Sequence, residues 1–392
     1  MTRFRPKDVR ELAELVTAAA AKGEAMEVIA AGTKRGLGRP VEVPHQLDAT
    51  AFAGIKSYEP EELVLTAGPA TPMTEVARIL ADAQQMLPFE PGDWGPLYGG
   101  SAGKQTLGGV LLCNIAGPRR PKQGSARDHL LGFHAVSGRG EAFKAGGRVI
   151  KNVTGYDLSK LMCGSFGTLA VVTEVTVKVL PAPEATRTLV LPGLDDARAV
   201  EAMTLALNGP HDVSGAAHLP AEFGMKTLLR LEGPVPSVEA RVAALRRELA
   251  EFAAADVLSD AAATAPWRDL ADLAAFAAEP SPALWRVSVA PQAGPAIAAA
   301  ARTLQARYLY DWGGGLLWIA VEAARDAGAA VLRGALREAG GHATLVRASE
   351  ALRAEIPIFE PQPPALAALG ARIKESFDPA HILNPGRMYR EL

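Results

Sequence analysis

Three glycine-rich stretches carry residue types that can close on a phosphate-bearing ligand. The first, Gly32-Thr33-Lys34-Arg35-Gly36-Leu37-Gly38, follows the strand-like run 27–31. Without Cβ atoms, successive amides in such a loop can turn inward on an anion, and a pyrophosphate fits that description. The order G-x-x-x-G-x-G is not the Rossmann order G-x-G-x-x-G. The extended run Arg39-Pro40-Val41-Glu42-Val43-Pro44 also follows where a Rossmann site needs a helix, which argues against a nicotinamide site of that kind. The second stretch, Gly99-Gly100-Ser101-Ala102-Gly103-Lys104-Gln105-Thr106, fails as a Walker A loop twice. Tyr98 stands at the first required glycine, and Gln105 follows the lysine in place of serine or threonine. What remains there is Gln105-Thr106-Leu107-Gly108-Gly109 leading into Val110-Leu111-Leu112 and then Cys113-Asn114-Ile115-Ala116-Gly117. A glycine pair inside an apolar run marks a place where a backbone or a flat ligand comes close, so a side chain at either glycine is expected to displace it. The third stretch, Gly164-Ser165-Phe166-Gly167-Thr168, feeds the run Leu169-Ala170-Val171-Val172-Thr173. Each loop alone is also what a structural turn looks like; together, all before residue 175, they are explained by one large, extended, phosphate-bearing ligand.

The elements that must position these loops are readable in outline. Val9, Leu12, Ala13 and Val16 fall at helical spacing between Pro6 and Gly23, and predict an amphipathic helix. A strand is expected at 63–67, then a helix from Thr71-Pro72 to about Ala83. Residues 88–117 hold so many glycines and prolines that neither an ordinary helix nor a strand is expected. Leu169, Val171, Val175, Val177 and Val179 alternate with polar residues as a half-buried strand, and Pro181-Ala182-Pro183 ends it at a natural domain boundary. Beyond it, helices near 195–207, 236–253, 295–306 and 325–339 alternate with strands near 227–231, 284–290, 315–321 and 342–347. That alternation predicts an antiparallel sheet with helices on one face, and two helix-strand-strand groupings suggest a diverged duplication. The tail, from Phe377-Asp378-Pro379 to Asn384-Pro385-Gly386, is turn-rich and is expected to fold back.

A chain of 392 residues predicts two domains. With 41 basic and 43 acidic residues it gives no electrostatic reason to expect nucleic acid or an anionic membrane as partner. Its two cysteines, Cys113 and Cys163, form no CxxC or Cys/His pattern, so disulfide frameworks, zinc and iron–sulfur ligation are not expected. No run approaches the apolar length that crosses a bilayer, so the expected location is cytoplasmic, with membrane association only through partners.

QTLGG, RDHLLG, KNVTGYDLSKLMCGSFGTLAVVTEVTVKVLP and the terminal FDPAHILNPGRMY together resemble the FAD-binding domain of the vanillyl-alcohol oxidase/PCMH type. More narrowly, they resemble the E-type FAD-binding subunits of bacterial glycolate oxidases. The resemblance covers the first 183 residues and the tail; the middle is similar mainly by position, with Tyr310-Asp311-Trp312-Gly313-Gly314 and the following 316–321 as its most suggestive part. It implies an α+β fold: a PCMH-type FAD-binding domain of two α/β subdomains over 1–183, an α+β cap with an antiparallel sheet over 184–362, and a segment, 363–392, that returns to the FAD domain. It implies that Gly32, Thr33, Lys34, Arg35, Gly36 and Leu37 hold the diphosphate, with Lys34 or Arg35 adding charge. Thr106, Gly108, Gly109, Cys113, Asn114 and Gly117 are then expected along the ribityl chain and flavin, and Gly167, Thr168, Val171 and Val172 around the adenosine. Covalent members have a histidine after the first glycines, where this chain has Arg35-Gly36-Leu37, so the FAD is expected to be non-covalent. The implied activity is oxidation of glycolate or related short 2-hydroxy acids to 2-oxo acids, with a D-type catalytic flavin subunit and an iron–sulfur subunit as implied partners; a non-catalytic flavin-carrying or structural subunit of that complex, and a stand-alone flavin oxidase of another alcohol, stay open as alternatives. The metal segment of the catalytic subunits has no counterpart here. His211, His218 and His342 are isolated and are read as surface or hydrogen-bonded core residues rather than bases. Cys163 is read as a small apolar side chain, and Cys113 as a flavin contact without redox chemistry of its own.

Overall fold

Asp8 accepts the Glu11 amide, Gly23 closes the far end in the left-handed region, and between them Val9–Lys22 forms a helix that buries Leu12, Val16 and Ala19. That helix belongs to the first of two compact units in the computed structural model, which describes residues 1–147, 155–279, 282–322 and 325–392. Lys151, Asn152, Val153 and Thr154 of the motif quoted above lie outside the described residues. The first unit comprises Met1–Ile115, Ser125–Ala182 and Pro361–Leu392; the second comprises Ala116–Gly124 and Pro183–Glu360.

Two sheets organise the first unit. In a three-stranded parallel sheet, His45–Asp48 lies between Thr2–Phe4 and Met26–Ile29. A five-stranded antiparallel sheet runs Ile55–Glu59, Val64–Ala67, Ala170–Lys178, Leu130–Ser137, Ala142–Gly146. The glycine-rich region does contain a helix, contrary to the expectation for 88–117. Thr106 is its N-cap, accepting the Gly109 amide through Oγ1 at 3.3 Å, and the apolar run Leu107–Leu112 makes the turns. One good cap with Leu and Val after it outweighs two glycines over so short a span.

The tail is fastened by a buried ion pair. Lys374, near the end of the Pro364–Phe377 helix, donates from Nζ to Asp378 Oδ2 at 2.7 Å, to the Thr168 carbonyl at 2.7 Å and to the Leu383 carbonyl at 3.1 Å. Asp378 in turn accepts the Ile382 and Leu383 amides. Both side chains are almost fully buried, and burial pulls the Lys374 ammonium below its ordinary range against the opposing pull of Asp378.

In the second unit eight strands form one antiparallel sheet. Their order is Asp256–Ser259, Ala185–Pro192, Lys226–Gly233, Val213–Leu219, Arg307–Asp311, Leu316–Val321, Ala283–Ser288, His342–Arg347. Each half is a strand-helix-strand-strand-helix-strand unit with its strands ordered 4-1-3-2, and the halves meet at their second strands, where His218 faces Tyr310. The two groupings suggested by the sequence are thus two copies of one topology. The helices Asp196–Asn208, Val235–Glu248, Gly294–Thr303 and Ala329–Ala339 share one core with one face of the sheet. A further helix, Asp260–Asp272, corrects the one-face expectation. Its Trp267 donates to Thr188, which points away from the core that its neighbour Leu189 enters. Among the described residues no helix is long and apolar enough to cross a membrane.

Glu232 couples the Ala116–Gly124 segment to this sheet, accepting a two-point fork from Arg119 at 3.0 and 2.6 Å, with Arg230 3.6 Å away. Burial would raise its pKa, but Arg230 and then Arg119 outweigh burial and hold it at about 2, against 4.5 unperturbed. A depressed carboxylate contributes stability that is present above its unfolded pKa and is lost as pH falls through the folded one, here about 3 kcal/mol in all. Urea unfolding at pH 7 and pH 3 is therefore expected to show a steeper loss in the wild type than in Glu232→Gln, by about 2 kcal/mol. Parallel losses would contradict this role.

Candidate functional site

A cleft of about 850 Å³, open mouth included, lies in the first unit where the three glycine stretches converge. Its first wall is the loop after Met26–Ile29. Gly32 takes φ +69°, the Arg35 amide turns back to the Gly32 carbonyl, and the Leu37 amide turns back to that of Lys34. The amides of Thr33, Lys34 and Gly36 stay outside those two turn bonds. Gly36 is required by packing, since a Cβ there would stand 2.4 Å from the Tyr98 ring.

Charge at this wall is divided between two residues. Arg35 grips the buried Glu27 carboxylate through both oxygens, at 2.8 and 2.9 Å, and Gln46 donates to the same group at 3.1 Å. The Arg35 charge is therefore balanced within the protein. Lys34 is buried and donates to the neutral Gln105 at 3.0 Å; burial lowers its pKa, while Cys113 and Asp93 oppose the shift. Of the two cations the sequence offered, Lys34 is the one whose charge suits an anionic ligand in the cleft. Burial pushes the Cys113 thiol up, against Lys34 and Arg387, and its side chain lines the cleft.

The second wall separates the glycine pair. A Cβ on Gly108 would lie 2.5 Å from Pro69 Cβ and 2.9 Å from its carbonyl oxygen, so Gly108 serves the approach of protein backbone. At Gly109 the nearest atoms are Thr106 Oγ1 at 3.2 Å and the Lys34 side chain at 3.9 Å, so its bare side faces the cleft beside the ammonium. The third wall is Phe166 and Gly167, both with positive φ, and the strand residues Ala170, Val171 and Val172.

Gly32, Thr33, Lys34, Arg35, Thr106, Gly108, Gly109, Cys113, Gly167, Val171 and Val172 thus line one cleft. Gly36, Leu37, Asn114, Gly117 and Thr168 stand outside its lining. Leu37 is a buried anchor, and Asn114, in the left-handed region, accepts the Arg127 amide. Thr168 donates to the Ser165 carbonyl, and Gly117 lies in the second unit, where its carbonyl accepts the Trp312 indole N–H. Sequence reasoning did not single out Glu27, Asn384 or Arg387. Asn384 accepts the Val28 amide at 2.8 Å and donates to the Phe166 carbonyl at 2.9 Å, tying the first and third walls to the tail. Arg387 donates to the Lys34 carbonyl at 2.8 Å. The terminal FDPAHILNPGRMY, with its Asn384-Pro385-Gly386 turn, was the available signal for Asn384 and Arg387, and Glu27 had none.

Glycine walls with inward space, the buried Lys34 ammonium and an apolar strand suit a long ligand with phosphates at its middle and flat rings at its ends. Together with the two-sheet unit that carries them, they define an FAD-binding α+β flavoprotein. The family described as FAD binding domain matches residues 3–146. The chain belongs to the family of the glycolate oxidase subunit GlcE: it is 36% identical to that protein of Escherichia coli (strain K12) over 385 residues, 97% of each chain. The glycolate oxidase subunit GlcD of Bacillus subtilis (strain 168) is 34% identical over 135 residues, 34% of this chain and 27% of that protein. Among solved structures, 4-ethylphenol oxidase from Gulosibacter chungangensis shares the fold at a TM-score of 0.72 and 14% identity, over 99% of this chain and 89% of that one. An alkyldihydroxyacetonephosphate synthase does so at 0.71 and 16% identity, over 100% and 77%.

Proposed function

We propose that this chain is the FAD-carrying subunit of a complex that oxidises glycolate, or a related short 2-hydroxy acid, to the 2-oxo acid. The observation that supports the reading most strongly is the full-length similarity to GlcE, in a chain whose cleft is lined by the glycine stretches. The partners of this reading are a D-type flavin subunit and an iron–sulfur subunit that takes the electrons onward. Bound FAD supplies two-electron oxidation of the alcohol carbon and release of electrons one at a time.

Within this reading, Gly32, Thr33 and Lys34 hold the diphosphate, Lys34 by its charge and the loop by its amides. Gly36 and Leu37 shape that loop from behind. Thr106, Gly109 and Cys113 lie along the ribityl chain and flavin, with Gly108 and Asn114 fixing the turn that presents them. Gly167, Val171 and Val172 enclose the adenosine, and Thr168 closes their loop. In this reading the FAD is held non-covalently, because Arg35-Gly36-Leu37 stands where covalent members of the family carry a histidine. The first unit is the cofactor domain and the second the substrate domain.

A narrower reading, in which this subunit carries flavin but leaves substrate oxidation to its partner, is favoured by two of the three histidines named above, His218 and His211. His218 is buried against Thr227 at 2.9 Å, and burial depresses its pKa to about 4; His211 is buried 2.9 Å from Glu248. Neither is offered to a substrate as a base. Anaerobic addition of glycolate is expected to bleach the flavin of the lone chain slowly, and that of the complex with D-type and iron–sulfur subunits rapidly. Rapid bleaching of the lone chain would instead place the oxidation here, and no bleaching in the complex would defeat the glycolate reading.

A further inference from the structure

Asn384 lines the cleft from the tail and makes more connections than a turn residue needs. It is buried, and its backbone is left-handed, at φ +44°. The main chain around it continues the three-stranded parallel sheet past Met26–Ile29. Leu383 pairs with Met26, the Met26 amide donates to the Ile382 carbonyl at 2.8 Å, and the Asn384 amide donates to the Met26 carbonyl at 3.1 Å. From there the side chain spans two walls of the cleft. Its Oδ1 accepts the Val28 amide at 2.8 Å, just ahead of the first glycine loop, and its Nδ2 donates to the Phe166 and Gly167 carbonyls at 2.9 and 3.3 Å.

Among side chains of this length, only a carboxamide can accept an amide on one side and donate to carbonyls on the other. Aspartate would turn a second acceptor toward the two carbonyls, and glutamine would be one carbon too long. The turn that Asn384 holds is a costly one, because Phe166 and Gly167 are left-handed in succession, at φ +56° and +68°. The two residues at its end are matched: a Cβ on Gly167 would stand 2.9 Å from Asn384 Nδ2. The near end of the turn has its own anchor, the Phe166 amide donating to the Leu112 carbonyl at 2.9 Å. The glycine pair of the second wall is held elsewhere, with the Leu107 amide on the Thr71 carbonyl and the Gly108 amide on that of Pro69. Loss of the carboxamide therefore releases the Gly167 end of the third wall and its spacing from the first loop, and leaves the second wall in place.

We propose that Asn384 is a positioning residue that makes the cleft selective for FAD over FMN, by fixing the distance between the loop that holds the diphosphate and the wall that encloses the adenosine. The inference deepens the proposed function and rests on its placing of Gly32, Thr33, Lys34 and Gly167 along the ligand. FMN lacks the adenosine and its phosphate, so its binding draws little on what Asn384 holds.

The test is titration of the flavin-free full-length chain with FAD, FMN and ADP, followed by the change in flavin fluorescence and, for ADP, by competition with FAD. The wild type is expected to bind FAD at least about 100-fold more tightly than FMN. Asn384→Gly keeps the left-handed backbone and removes only the carboxamide. It should weaken FAD and ADP about 30-fold and FMN less than about 3-fold. Asn384→Asp, which keeps the acceptor for Val28 and loses the donor, should weaken FAD and ADP about 10-fold, with FMN again little changed. Thermal midpoints of the same preparations report whether each variant is folded. Equal losses for FAD and FMN in a folded variant would overturn the selectivity role, and unchanged FAD affinity in a folded variant would overturn any role in binding. A wild type that holds FMN as tightly as FAD would defeat the placing of the adenosine on this wall, and the inference with it.

Discussion

Gly109→Val is expected to abolish FAD binding in a chain that still folds, whereas Gly108→Val is expected to damage the fold itself. The two glycines are neighbours in one short helix, but their missing side chains point at different things. At Gly108 a Cβ would collide with Pro69, including its backbone oxygen at 2.9 Å, and backbone cannot step aside as a flexible side chain can. At Gly109 the nearest groups are the Thr106 hydroxyl and the Lys34 chain, which can yield, so valine is accommodated but its methyl groups fill cleft volume beside the ammonium. Affinity for FAD in Gly109→Val should fall by at least about 100-fold, roughly 2.7 kcal/mol, with the thermal midpoint little changed. Gly108→Val should lose several degrees or express poorly. Flavin occupancy and thermal unfolding measured on the same preparations decide it, and full occupancy in Gly109→Val would show that this glycine serves packing alone.

The largest effect on stability is expected at Asp378. Its carboxylate is fully buried and accepts the Lys374 ammonium and two amides, while the same ammonium holds the carbonyls of Thr168 and Leu383. Removing one member of such a network strands the other charge, a cost of about 3–5 kcal/mol. Asp378→Ala should therefore lower the melting temperature by roughly 10 °C. Adding Lys374→Met to that variant should recover part of the loss, because no charge is then left buried. Since Leu383 and Asn384 follow directly, the single variant should also loosen the cleft and weaken FAD retention. Melting curves of the two variants that coincide with the wild type would contradict the fastening role of this pair.

Local signals were strong where a single segment carried its own explanation. The Val9–Lys22 helix announced itself by apolar spacing, Pro6 and Gly23, and the Ala170–Lys178 strand by alternation. The glycine stretches were visible because their composition forbids most other uses, and Gly32, Gly109 and Gly167 stand around one cleft although far apart in sequence. Less was legible where a residue acts through a distant partner. Glu27 looks like an ordinary strand residue until Arg35 and Gln46 close on it, and Asn384 until it meets Val28 and Phe166. The Asp260–Asp272 helix was obscured by Pro266 within it, and it is held by Trp267 reaching Thr188, a contact with no local signature. The Ala116–Gly124 segment belongs to the second unit because Arg119 and Arg120 find Glu232 and Trp312 there, more than a hundred residues onward.

The central claim, that the glycine-lined cleft holds FAD without a covalent bond, is tested most directly by the flavin content of the purified full-length chain. The protein is expected to be yellow, with about one flavin per chain by absorbance. Heat or acid should release that flavin as intact FAD by chromatography, leaving colourless protein. A colourless chain that does not take up added FAD would contradict the assignment of the cleft, and flavin that stays with the denatured protein would contradict its non-covalent attachment.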